Sequence, residues 1–183
     1  MYPGMMYRLK RTIALVGMMG AGKSSVGRRL ATRLGVPFRD ADSEIEAAAG
    51  CTISEIFERF GEAEFRKGER RVIGRLLAEP PHVLATGGGA FITDKTRAAI
   101  KVQGFSVWLK APLDLLVSRV QRRETRPLLK DGDPREILGR LLAEREPIYA
   151  LADMALDSEE GPHAVVVDRI VAALEARGLL ETA

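Results

Sequence analysis

Short apolar runs recur along the chain between stretches in which apolar residues fall three or four positions apart. The runs "TIALVG" at 12–17, "PFRDAD" at 37–42, "HVLATGGG" at 82–89, "FSVWLK" at 105–110 and "DMALDS" at 153–158 read as strands. Between them, Val26, Leu30 and Leu34 fall on one helical face, as do Phe65, Val72, Leu76 and Leu77. Strand alternating with helix predicts a parallel sheet covered on both faces by helices, a three-layer α/β/α arrangement.

Two regions break this alternation. Residues 42–81 hold at least two helical pieces, "ISEIFERF" and "EAEFRKGERRVIGRLL", split by Gly61. A plain crossover needs fewer residues, so the segment reads as an inserted helical lobe. The second region, "QRRETRPLLKDGDPREI", is polar and carries Pro127, Gly132 and Pro134. It reads as a mobile loop that closes on a ligand, with a solvated connector as the alternative.

Composition narrows the class. With 183 residues, 46% of them hydrophobic, the chain suits a single domain spanning residues 1–183. A net charge of +3 fits small anionic substrates. Nucleic acid is disfavoured, because the arginines are scattered and six Phe, three Tyr and one Trp offer few stacking surfaces. Cys51 is the single cysteine, which fits a reducing, cytoplasmic setting. The basic residues ahead of "TIALV" imitate a secretion signal, but Lys23 and a helix of alternating charge follow without a cleavage site. No run approaches the ~18 apolar residues of a membrane span.

The candidate chemistry begins at "GMMGAGKS", residues 17–24. Gly17, Gly22, Lys23 and Ser24 satisfy G-x-x-x-x-G-K-[ST] between a predicted strand and a predicted helix, the context a phosphate-binding loop requires. Glycines let consecutive backbone N–H groups point into one concavity at a helix N-terminus. Lys23 reaches the terminal phosphates of a nucleotide, and the Ser24 hydroxyl is placed for Mg2+. A dinucleotide fingerprint fails, since the third glycine counted from Gly20 falls at Ser25.

Asp40 and Asp42 close the second predicted strand, and a spacing of two puts both carboxylates on one side while the chain stays extended. Asp40 is a candidate for holding Mg2+, Asp42 for orienting or deprotonating a hydroxyl; capping of a helix near Ser43 is the alternative for either. "TGGGA" at 86–90 exposes backbone at the same edge of the sheet, as a floor for a small substrate or as a strained turn. Arg66 and Glu69 share a helical face, so that Glu69 holds Arg66 for a two-pronged grip on an anion. Arg145 stands just before Pro147, where a helix should end, as a second clamp; Arg126 lies in the mobile loop, where closure brings its charge to the phosphoryl group.

Six motifs in order, "GMMGAGKS", "DAD" at 40–42, "EFRKGE" at 64–69, "GGGA" at 87–90, "RPLL" at 126–129 and "REPIY" at 145–149, make the chain resemble the shikimate kinases. These belong to the nucleoside-monophosphate-kinase-like branch of P-loop proteins. The resemblance implies a five-stranded parallel sheet, a substrate lobe at about 42–81 and a lid at about 121–134. It implies transfer of the γ-phosphoryl of ATP to the 3-hydroxyl of shikimate, giving shikimate 3-phosphate and ADP on the route to aromatic amino acids.

By the same resemblance Gly20, Ala21, Gly22, Lys23, Ser24, Ser25, Arg119 and Arg126 bind ATP, with Arg119 against the adenine and Pro162 in an adenine-side loop. Asp42, Arg66, Gly87, Gly88, Gly89 and Arg145 bind shikimate, Ser24 and Asp40 hold Mg2+, and Lys23, Asp42 and Arg126 are catalytic. The protein is then a cytoplasmic monomer with ATP/ADP and shikimate as its partners, without nucleic acid or membrane. A gluconate kinase shares the phosphate loop, but the paired arginines and the glycine triplet favour shikimate. A nucleotide-dependent switch is disfavoured by the closely spaced acidic pair. Gly68, a poor helix residue beside Glu69, departs from the expected pattern.

Overall fold

A computed structural model describes residues 6–122, 132–158 and 161–182. The chain opens with β1 (Tyr7–Leu9) and β2 (Thr12–Val16), followed by α1 (Lys23–Leu34), β3 (Phe38–Asp40), α2 (Ala41–Ala49) and α3 (Ile53–Leu77). Then come β4 (Val83–Ala85), a 3-10 turn (Ala90–Ile92), α4 (Asp94–Gln103), β5 (Gly104–Lys110) and α5 (Leu113–Gln121). The order ends with α6 (Pro134–Tyr149), β6 (Met154–Asp157), α7 (His163–Ala176) and β7 (Leu180–Thr182).

The main sheet has five parallel strands in the order β3-β4-β2-β5-β6, so the expected architecture holds. Every residue of β2 is buried, as a central strand covered on both faces must be. Its register places Leu15 against Ala85 on one side and Val107 on the other. The carboxyl ends of β2, β3 and β4 therefore finish side by side, and the loops leaving them share one edge.

Local sequence explains the helices that frame that edge. Helix α1 buries Val26, Leu30 and Leu34, and it approaches the sheet so closely at Gly27 that a Cβ there would lie 2.6 Å from the Phe38 ring. It stops at Gly35 in the left-handed conformation, with Val36 N–H donating to the Ala31 carbonyl and Gly35 N–H to that of Thr32. Helix α1 packs on α7, and α3 packs on α4. Thr52 and Glu55 form a reciprocal capping box that starts α3. At Gly61, with φ 80° and ψ 172°, α3 breaks, so the two expected helical pieces exist as two arms of one element. Phe65, Val72, Leu76 and Leu77 form the buried stripe.

Three details differ from expectation. First, β1 and β7 pair antiparallel, with Leu9 opposite Leu180, where periodicity showed no strands; three-residue strands are too short to display alternation. Second, the extended chain ends at Asp40, because its carboxylate accepts the Ser43 N–H at 3.2 Å and starts α2 immediately. Third, α6 runs through Pro147 to Tyr149 instead of ending before it. Proline in a last turn sacrifices a single bond, and Asp133 capping with Pro134 at the first turn secures the other end. Most of the expected lid, including Arg126, lies outside the described residues.

Candidate active site

The loop after β2 is shaped by glycine. Gly17 has φ 140°, and a Cβ there would stand 2.8 Å from the Leu109 carbonyl oxygen. Gly22, at φ 93°, is the N-cap of α1, and it lies under Arg119 and His163, whose nearest atoms would sit 3.3 and 3.5 Å from an added Cβ. The first N–H groups of α1 thus open onto a cavity, as an anion site requires. Lys23 folds its ammonium back across the loop, donating to the Gly17 and Met18 carbonyls at 2.5 and 3.0 Å. Ser158 Oγ donates to the Ala21 carbonyl at 2.9 Å, tying the loop to the segment after β6.

Asp40 serves two purposes at once. Its Oδ2 accepts the Ser24 hydroxyl at 2.8 Å while Oδ1 caps α2. Asp42 stands on the first helical turn, so the expectation of a carboxylate pair on one face of a strand is corrected: the strand-to-helix turn brings both into the same space. The oxygen pair of Ser24 and Asp40 suits Mg2+, which is usually held by one or two protein oxygens together with substrate phosphates. Among the described residues no cluster of three or more His, Cys, Asp and Glu offers a fuller cage.

Two cavities meet at this point. One, of about 230 Å3, is lined by Gly20, Gly22, Lys23, Ser24, Ser25, Arg119 and His163. Arg119 is anchored there by donation to the Gly20 carbonyl at 3.0 Å. The other, of about 540 Å3, lies between α2, α3 and Gly87–Gly89, with Phe57, Phe65, Arg66, Glu69 and Arg145 in its walls. Both are lined by Met19, Ser24, Asp40, Asp42, Gly87 and Gly88, so the two open onto one another. Ala21 is packed inward, and Pro162 caps α7 while its neighbour His163 lines the cavity. No motif marks His163 in the sequence. Burial, with Arg29 and Arg119 nearby, lowers its pKa and favours the neutral ring.

The larger cavity is a charged clamp. Arg66 Nη1 donates to Glu69 Oε1 at 2.8 Å one helical turn away, and the Glu69 side chain is only 1% exposed. Burial pushes the Glu69 carboxyl above its ordinary value, against the pull of Arg66, and the charge of Asp42 adds to the rise. Glu69 Oε2 and Arg145 Nη1 are both buried without a hydrogen-bond partner among the described residues. Such groups are costly unless something pairs with them.

The glycine triplet lies where these side chains converge. A Cβ at Gly87 would be 2.9 Å from Asp42 Oδ1 and 3.1 Å from Glu69 Oε2; at Gly88, 3.5 Å from Arg145 Nη1; at Gly89, 2.6 Å from Arg66 Cζ. Glycine is needed less for backbone freedom than for room. A Cβ at Gly68 would meet nothing within 4 Å among the described residues beyond its own helix, and the helix runs through it, so the Arg66–Glu69 pair forms despite it.

Comparison with known proteins agrees with this geometry. The sequence model described as shikimate kinase matches residues 19–175. A shikimate kinase of Paramagnetospirillum magneticum is 62% identical over 161 residues, covering 87% of this chain and 83% of its own. One of Caulobacter vibrioides is 58% identical over 164 residues, covering 90% and 82%. In three dimensions the shikimate kinase from Acinetobacter baumannii in complex with shikimate superposes with a TM-score of 0.88 at 39% identity, over 91% of this chain and 94% of that one. With the phosphate loop, the acidic turn and the arginine clamp arranged around one shared opening, the chain belongs to the shikimate kinase family.

Proposed function

We propose the following division of labour for the reaction of the family, transfer of the γ-phosphoryl group of ATP to the 3-hydroxyl of shikimate. ATP lies in the smaller cavity, its phosphates cradled by the N–H groups of residues 20–25 and by Lys23, its base against Arg119 beside His163. Shikimate lies in the larger one, its carboxylate gripped by Arg66 and Arg145 and its ring over Gly87–Gly89. Asp42, at the opening between the two, receives or orients the hydroxyl that attacks. Ser24 and Asp40 hold Mg2+, which neutralises phosphate charge when bound. Arg126 adds positive charge to the phosphoryl group in transit.

The work of the chain in this scheme is alignment and charge compensation, since phosphoryl transfer asks little covalent chemistry of protein side chains. Lys23 leaves its loop carbonyls for the phosphates, and Asp42 holds the acceptor oxygen in line. The enzyme works as a monomer in the cytoplasm, a reducing compartment that its single cysteine fits. No helix among the described residues is long and apolar enough to cross a membrane.

One observation carries the acceptor assignment. The larger cavity offers an unpaired cationic donor, Arg145 Nη1, and an unpaired carboxylate oxygen, Glu69 Oε2, both buried. A compact hydroxy acid satisfies both, the carboxylate meeting the first and a hydroxyl the second. The test is incubation with MgATP and shikimate, with gluconate as comparator, followed by mass spectrometry. Shikimate 3-phosphate and ADP are expected; consumption of gluconate alone overturns the assignment.

A further inference from the structure

Tyr149 is fully buried at the end of α6, one turn beyond Arg145 and on the same face. Its ring packs on Trp108, with centroids 5.8 Å apart, and its hydroxyl lies 3.9 Å from Met18 Sδ in the phosphate loop. That hydroxyl donates to the carbonyl oxygen of Gly88, the middle residue of the glycine triplet. We propose that Tyr149 is a positioning residue for the acceptor, its hydroxyl fixing the Gly88–Gly89 peptide and the adjoining Arg145 head in the orientation that receives the substrate carboxylate. The proposal rests on the acceptor assignment above.

A trans peptide is planar, so once the Gly88 carbonyl is turned to Tyr149, the Gly89 N–H on the same unit is turned to the opposite side. Glycines on both sides leave that peptide free to rotate by steric criteria, and rotation would present a carbonyl where a donor is needed for an anion. The tyrosine hydroxyl removes this alternative. Burial pushes the phenol up to about 12, so it remains a neutral donor throughout the working range of pH. The Arg145 charge lies near enough to the same hydroxyl to offset part of that rise. Any buried tyrosine hydroxyl seeks a partner; this one finds it in the glycine triplet, within reach of the phosphate loop.

The test is Tyr149→Phe, which keeps the ring on Trp108 and deletes only the hydroxyl. Expected is a rise in the KM for shikimate of roughly five- to tenfold, with the KM for MgATP within about twofold of wild type. Calorimetric binding of shikimate without nucleotide should weaken by the same factor. An unchanged shikimate KM overturns the proposal whatever happens to the melting temperature, and so does a parallel rise in both KM values, which is general loosening. Wild type runs in the same assay. An inactive wild type fails the acceptor assignment, whereas an active wild type matched by the variant fails the role of Tyr149 alone.

Discussion

Arg66 and Glu69 stand one turn apart on α3, and their 2.8 Å ion pair is made with a carboxylate that is 1% exposed. The pair holds the guanidinium at the wall of the acceptor cavity, while the second carboxylate oxygen faces Gly87. A buried pair of this kind serves geometry more than stability.

Glu69→Gln separates the two. The folded-state pKa of Glu69 lies above its unfolded value, so its contribution is favourable below the unfolded value and is lost as pH rises through the folded one. Gln avoids that loss. The variant should melt higher than wild type at neutral pH, with the advantage shrinking under acid conditions, yet its KM for shikimate should rise roughly tenfold. Thermal melts across pH, paired with kinetics, check both halves.

Asp40→Asn tells the metal role from the cap. Asparagine caps helices as well as aspartate does, so α2 should be retained and the melting temperature should stay within about 2 °C. Turnover should fall on the order of a hundredfold, with a higher Mg2+ requirement, because a carboxylate has been removed from beside the phosphates. A silent variant would reduce Asp40 to a cap.

Gly89→Ala acts on Arg66 through space alone. Gly89 has φ −100°, which alanine accepts, and the added methyl meets the mobile end of a side chain and not backbone. The fold should therefore survive while the clamp is pushed aside, raising the shikimate KM roughly tenfold with little change for MgATP. Steady-state kinetics with each substrate varied in turn settles it.

Gly68→Ala should do the reverse. Nothing lies within 4 Å of a Cβ at this helical position. Alanine should add about 0.5–1 kcal/mol of stability and raise the melting temperature by about 1–4 °C, with both KM values unchanged. Calorimetry and the coupled assay suffice.

Much of this site can be read along the chain, since three of its parts are short motifs at strand ends: "GMMGAGKS" after β2, "DAD" at the end of β3, "TGGGA" after β4. A parallel sheet then gathers strand ends at one edge without further instruction. What is not legible depends on distant partners. Asp42 reads as a strand residue because alternation and an N-cap look alike until the Ser43 N–H is seen to meet Asp40. His163 carries no motif, and Tyr149 is only the last letter of "REPIY": one lines the cavity from the first turn of α7, the other reaches the glycine triplet because α6 continues past a proline. The pairing of β1 with β7 joins the two ends of the sequence, where local pattern says nothing.

The interruption at Gly61 divides the lining of the acceptor cavity between two independent supports. Ile53, Ser54 and Phe57 ride on the arm before it; Phe65, Arg66 and Glu69 ride on the arm after. Substitutions in the first arm can reshape which ring is admitted while the anion grip stays put. Laboratory evolution toward other cyclic acids would therefore begin at residues 53–60, leaving the half of the helix that carries the charges alone.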